Sequence, residues 1–157
     1  MAAELILGRA YTPADLLPQA GPMLLLDSIV GYGPDWLRAS VNIRRDGFLC
    51  DEHGAPVWAG IEYMAQTAAA WAGIEPRQAG QTPGIALLLG TRRYRCTVSH
   101  FPLAARLDIE AGLMLRDDEG IAVFDCEIRS GETVMATAQI KAYRPPDIHT
   151  FLKEQAR

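Results

Sequence analysis

A chain of 157 residues, 49% hydrophobic and 22% charged, has the size and apolar content of a single domain that buries a full core. Fifteen basic residues against nineteen acidic ones leave a net charge of −4, which gives no electrostatic footprint for binding nucleic acid. The three cysteines, Cys50, Cys96 and Cys126, are odd in number and lack pairwise metal spacing, so a reducing cytoplasm is the expected setting.

Residues 1–7 carry an early acid and only a brief apolar run, so no targeting signal is expected there. Thr12 as N-cap and Pro13 at the first helical position predict a short helix, broken by Pro18 and Gly21-Pro22. Residues 23–29 read as a buried strand. Residues 36–43 alternate Leu37, Ala39, Val41 and Ile43 with Arg38, Ser40 and Asn42, the pattern of a half-exposed strand. A loop over 46–56 leads to an apolar helix over 58–73, with Gly73 in the place of a helix-terminating glycine. That helix is interrupted by polar residues and shorter than the roughly 18 to 20 apolar residues that span a bilayer, so no membrane span is expected.

Residues 75–84, with Pro76, Gly80 and Pro83, read as a connection, and the remainder reads as strands. Residues 85–89 are continuously apolar, and Tyr94, Cys96 and Val98 alternate with Arg93, Arg95 and Thr97. Further period-two runs follow through Leu107 to Leu115, through Phe124, Cys126 and Ile128, and from Val134 to Ala142, separated by turns at 117–120 and 130–132. No internal repeat or low-complexity tail is present. One long helix followed by a meander of strands buries its apolar faces best if the sheet curls around the helix. The expectation is an α+β, hotdog-like fold in one domain, 1–157.

Glu62 is the residue that needs explaining. A helix apolar almost all round is normally buried, and a carboxylate taken into such surroundings costs several kcal/mol unless it is paired, hydrogen-bonded or protonated. Gln66 lies at i+4, so both side chains share one stripe and can meet each other or one ligand. Acids in the first turn also favour the helix dipole, which is the plain structural reading of Glu62. Gln66 serves equally well as an amide satisfying a loop carbonyl or as a substrate contact. Ala65, Ala68, Ala69 and Ala72 either let the sheet approach closely or leave room for an acyl tunnel.

His53 lies among Asp51, Glu52 and Gly54, a composition typical of an exposed loop, and His100 and His149 read as structural or surface residues. With neither helical i,i+4 spacing nor a nearby set of carboxylate ligands, the histidines offer no metal site. Arg92, Arg93 and Arg95 read as solvated strand residues, with the phosphate of a pantetheine arm or an acidic carrier as the functional alternative. Cys96 and Cys126 fall on the apolar sides of their strands and are read as small buried hydrophobes.

The stretch Leu17-Pro18-Gln19-Ala20-Gly21-Pro22-Met23-Leu24-Leu25-Leu26-Asp27, followed by Gly60-Ile61-Glu62-Tyr63-Met64-Ala65-Gln66, resembles the start and central helix of the 3-hydroxyacyl-acyl-carrier-protein dehydratases. Within that family it looks like the branch found with aryl polyene biosynthesis, to which 88–94 and 123–128 are also similar. The resemblance spans roughly 16–152.

It implies a hotdog dimer, homo- or heteromeric, that removes water from a 3-hydroxyacyl thioester to give the trans-2-enoyl thioester. The substrate would be carried on the phosphopantetheine of an acyl carrier protein or on coenzyme A, with no bound cofactor. Glu62 matches the family's helix carboxylate and is the expected general acid or base. The N–H groups of Gly60 and Ile61, at the helix N-terminus, are the expected oxyanion donors, with Trp58 and Gln66 as further substrate contacts.

The family's loop histidine is absent, and Gln19 stands where members of the branch commonly carry His. Glutamine holds a hydroxyl or carbonyl but does not take a proton near neutral pH. His53 is the expected substitute. Sites of this family are shared between subunits, so the second catalytic group is also sought on a partner chain. The competing expectations are a hotdog thioesterase and a non-catalytic acyl-binding subunit that partners an active homologue.

Overall fold

The computed structural model describes residues 10–156, so the reading of residues 1–7 lies outside it. Helix α1 (Pro13–Leu16) forms where Thr12 and Pro13 predict it, and the Asp15 carboxylate accepts hydrogen bonds from the Thr12 N–H at 2.8 Å and its hydroxyl at 3.0 Å.

The strand expected over 23–29 is not there. Gly21–Met23 make one 3-10 turn, the chain then runs irregularly, and β1 (Ser28–Tyr32) starts only at Ser28. The cause lies across the fold. The amide of Gln66 takes both the Leu25 N–H, at 3.0 Å, and the Met23 carbonyl, at 2.8 Å. Backbone groups that a ladder would use are held instead by a helix side chain.

β2 (Trp36–Asn42) follows its alternation at Leu37, Ala39 and Val41, which are buried, and at Arg38 and Asn42, which are exposed, but Ser40 is buried too, because β1 covers it and its hydroxyl shares a hydrogen bond with that of Ser28 at 2.5 Å. The strands β6 (Arg106–Arg116), β7 (Ile121–Ser130) and β8 (Thr133–Tyr143) match the later period-two runs. β4 (Leu87–Cys96) joins two separately read stretches into one strand, which bulges between Leu88 and Gly90 and between Arg92 and Arg95. Its Leu88 and Leu89 are exposed despite the apolar run.

The six strands pair antiparallel in the order β1-β2-β6-β7-β8-β4. Bulges bend and twist a sheet, and this one curves around helix α2 (Ala59–Gln78), which it contacts through β2, β4, β6, β7 and β8. Leu37, Ala39, Ile109, Ala111, Ile128 and Ile140 turn their buried side chains into that core. This is the hotdog arrangement expected. β3 (Gly54–Pro56) and β5 (His100–Pro102) make a small separate sheet that the sequence reading missed, each being too short to show a period.

Helix α2 runs five residues past its expected end. Gly73 is inside it and buried, because α1 crosses there: a Cβ on Gly73 would run into the Leu16 carbonyl oxygen. Glycine permits this close approach rather than ending the helix. Residues 75–78, read as connection because of Pro76, are helical. Pro76 has no N–H to give the Ala72 carbonyl, and Arg144, just past β8, donates its Nη1 hydrogen there instead at 3.2 Å.

A third helix, α3 (Ile148–Gln155), forms where the sequence predicts strand. Asp147 caps it, accepting from the N–H groups of His149 and Thr150 and from the Thr150 hydroxyl. Phe151 sets its ring edge-on to Tyr143, with centroids 5.6 Å apart, and so ties α3 to β8.

Candidate active site

Glu62 sits in the first turn of α2, half-buried, and its Oε1 accepts a hydrogen bond from Gln66 Nε2 at 2.9 Å. Gln66 is 1% exposed. Its two amide hydrogens go to Glu62 and to the Met23 carbonyl, and its oxygen accepts from the Leu25 N–H. The i+4 spacing therefore delivers the contact between the two side chains. It also fixes what Gln66 does: with both donors occupied, it orients the Glu62 carboxylate and pins residues 23–25 to the helix.

A cavity of about 810 Å³ opens beside this pair, between α2 and the concave face of the sheet. Glu62 and Gln66 line it at the start of α2, Gln19 lines it as well, and Ala65, Ala68, Ala69 and Ala72 lie along its helix wall. Of the two readings of these alanines, room for a chain is the one this wall supports. Gln19, on the irregular segment that Gln66 holds down, has its Oε1 buried without a hydrogen-bond partner. An orphaned buried amide oxygen is uncommon and costly; a hydroxyl entering the cavity would satisfy it.

The structure separates the other candidates from this cavity. Asp51 accepts the His53 N–H at 2.7 Å, which closes a turn leading into β3, and the His53 ring stands 69% exposed beside Glu52 and the edge of His100. Neither His53 nor Trp58, itself 59% exposed, lines the cavity, and no histidine does among the described residues. Within one chain, His53 is not brought to Glu62.

The amides of Gly60 and Ile61 are not free, as their place in the helix had implied. They donate to Val57 O at 3.0 Å and Trp58 O at 3.2 Å, completing a tight entry turn. Gly60 is instead a packing glycine, where a side chain would run into the Tyr94 hydroxyl, which itself donates to the Val57 carbonyl.

At the opposite end the cavity is lined by Trp71, Arg116, Asp117 and Arg144. The Arg116 guanidinium lies 5.9 Å from the Trp71 ring centre and 3.8 Å from the Glu75 carboxylate. Asp117 turns its carboxylate to the N–H groups of Glu119 and Ile121, both at 2.9 Å. Sequence reasoning missed this end. Its one signal was Pro76 in a helix, which leaves a carbonyl in need of a donor.

Neither Cys50 nor Cys126 is an activated nucleophile. Burial pushes the Cys126 thiol up to about 12, and desolvation also raises Cys50. Burial likewise raises the phenols of Tyr63 and Tyr94, so both stay protonated at neutral pH. Arg92, Arg93 and Arg95 are exposed on the edge strand β4, as solvated residues are. Among the described residues, no three His, Cys, Asp or Glu side chains gather where they could hold a metal ion, and no helix is long and apolar enough to cross a membrane.

The profile of the ApeP-like family, described as ApeP dehydratase, matches residues 11–153. Among solved structures, the dehydratase heterocomplex ApeI:P from Xenorhabdus doucetiae superposes with a TM-score of 0.86 at 28% identity, covering 95% of this chain and 100% of that one. More distant neighbours share the fold alone. A mutant form of the thioesterase SAV0944 of Staphylococcus aureus has a TM-score of 0.58 at 16% identity over 76% of this chain and 93% of its own. The PaaI protein of E. coli has 0.57 at 12%, over 74% and 81%. No curated protein sequence matches.

Proposed function

Because the chain belongs to the ApeP-like dehydratase family, we propose that it is the Glu62-bearing half of a two-subunit hotdog dehydratase acting on carrier-bound 3-hydroxyacyl chains. The observation that carries this reading is one cavity lined both by Glu62, whose carboxylate is steadied by Gln66, and by Gln19, whose buried amide oxygen has no hydrogen-bond partner.

Loss of water across the α and β carbons needs one group to take the proton beside the thioester carbonyl and one to protonate the departing hydroxyl. Glu62 serves as one of these. Gln19 Oε1 accepts the hydrogen of the substrate's 3-hydroxyl and holds that group toward the carboxylate. The second proton carrier comes from a partner subunit, since Gln19 cannot titrate and His53 lies outside the cavity. The solved relative named as a dehydratase heterocomplex supports a partner of the same fold.

The acyl group arrives as a thioester on the phosphopantetheine arm of an acyl carrier protein, and the small wall residues of α2 give its chain room. The three cysteines are free thiols, the state that a reducing cytoplasm maintains.

The test is to combine the chain with a homologous hotdog subunit that carries the loop histidine and supply a 3-hydroxyacyl-pantetheine thioester. The trans-2-enoyl thioester is the expected product, formed by the pair and not by this chain alone. Free acid with released thiol would mean hydrolysis and would replace dehydration with the thioesterase reading.

A further inference from the structure

Tyr63 follows Glu62 by about 100° around α2 and does not line the cavity that Glu62 lines. Its side chain is 2% exposed, and its ring packs against Phe101 with centroids 6.1 Å apart. Yet its hydroxyl makes no hydrogen bond among the described residues. The bond that Tyr63 accepts from the Thr67 hydroxyl, at 2.7 Å, is at its backbone carbonyl. Tyr94, whose phenol burial also raises, shows the ordinary arrangement, in which the hydroxyl donates to the Val57 carbonyl. A buried hydroxyl without a partner is uncommon, and one that lines an opening marks a place for a polar group.

Tyr63 lines a second pocket, of about 240 Å³, which shares no residue with the Glu62 cavity. Of its lining residues, Arg44, Asp46 and Phe48 are exposed, so it opens to solvent on that side, while Leu24, Val41 and Ile43 give it apolar walls. Burial first, then the Cys50 thiol and the Asp27 carboxylate, raise the Tyr63 phenol above its ordinary value. Both of those groups line the pocket as well, so the hydroxyl end of Tyr63 is the end that faces it. Asp27 accepts the Asn42 N–H through Oδ2 at 2.6 Å, and a carboxylate has lone pairs left to accept again.

We propose that this pocket is a second small-molecule site, which takes a compact, uncharged molecule carrying a hydroxyl on an apolar body. The ligand's hydroxyl oxygen accepts from the Tyr63 phenol and its hydrogen goes to the Asp27 carboxylate. An ammonium, a donor only, would leave the phenol's hydrogen unmet, and a carboxylate would face Asp27 charge against charge. Arg44 does not offset that repulsion, because its guanidinium lies 3.8 Å from the Asp46 carboxylate. The volume suits a single ring with its hydroxyl arm, since a cavity of about 150 Å³ takes benzene. The inference stands apart from the chemistry proposed for Glu62 and does not rest on it.

The test uses benzyl alcohol, with benzylamine and benzoate as its charged counterparts, titrated against the chain in its assembled complex and followed by methyl NMR. Benzyl alcohol should shift the Leu24, Val41 and Ile43 methyl signals saturably and leave those of Ala65 and Ala69, on the wall of the larger cavity, in place. It should bind more tightly than either charged probe. Tyr63→Phe keeps the ring on Phe101 and should weaken benzyl alcohol on the order of tenfold. Because the hydroxyl removed has no partner in the protein, the unfolding midpoint of that variant should not fall.

Methyl signals that stay fixed throughout the titration would mean that the pocket holds water only, and would overturn the proposal. So would shifts confined to Ala65 and Ala69, undiminished binding of benzyl alcohol in Tyr63→Phe, or tighter binding of benzylamine or benzoate. A lower unfolding midpoint in Tyr63→Phe would also contradict it, since the hydroxyl would then have its partner within the fold.

Discussion

Two irregular segments approach helix α2, and they differ in what holds them. Residues 19–25 are fastened to the helix by Gln66, through the Leu25 N–H and the Met23 carbonyl, and they bring Gln19 to the cavity that Glu62 also lines. The turn over 51–54 is fastened to itself, through the Asp51 carboxylate and the Asp51–Gly54 bridge, and it leaves His53 in solvent. By residue type alone the histidine was the better proton carrier. Position within the fold decides otherwise: a buried amide that reaches across the structure recruits a segment to the site, and a turn closed on its own backbone does not.

The sharpest way to break this comparison while leaving Glu62 in place is Gln66→Leu. It strands a backbone donor and a carbonyl and frees the Glu62 carboxylate. Stability should fall by about 1–3 kcal/mol in denaturant unfolding, and kcat of the assembled enzyme should fall on the order of tenfold or more with KM little changed. A loss of stability alone, with kcat intact, would make Gln66 a structural tie and nothing else.

Gly73→Ala tests the other contact that seats the N-terminal region. The methyl group would press on the Leu16 backbone, which cannot swing aside as a side chain could. A destabilisation of about 1–3 kcal/mol is expected, and an unchanged unfolding midpoint would contradict the close packing of α1 on α2.

His53→Ala should leave turnover within about twofold, as surface changes away from a site do. A tenfold loss would show that the turn over 51–54 reaches a site in the assembled complex, and the contrast drawn above would fail.

The smallest effect concerns α3. The Thr150 hydroxyl, followed by the Thr150 and His149 amides, holds the Asp147 carboxyl below its ordinary value. A lowered value in the fold means that the cap is fully present above the unfolded carboxylate range, about pH 4, and is lost as pH falls through the folded value. NMR shifts of the first-turn amides of α3 should therefore change in that acid window. In Asp147→Asn, whose amide oxygen still caps, they should stay flat. Identical acid behaviour in the two proteins would rule out the cap as the cause.

Much of this was legible in the chain itself. The i+4 spacing of Glu62 and Gln66 foretold their contact, and the alternation from Leu107 to Ala142 foretold three of the six strands of the main sheet. Much of what escaped reading depended on partners distant in sequence. Residues 23–29 look like a strand until Gln66, some forty residues on, takes their backbone groups. Helix α2 looks finished at Gly73 until Arg144 supplies the hydrogen that Pro76 lacks. The Gly60 and Ile61 amides look available until a tight entry turn uses them. In the first two cases local pattern named the group and tertiary contact decided its partner; in the third, the partners lie three residues back in the same turn.

The central claim is that the Glu62 carboxylate is this chain's chemical contribution to dehydration. Glu62→Gln keeps the side chain's size while removing its ability to exchange a proton. Turnover of a 3-hydroxyacyl-pantetheine thioester by the assembled complex should fall by about 10²–10⁴-fold, with acyl-pantetheine binding retained. Wild-type turnover in Glu62→Gln would contradict the account outright.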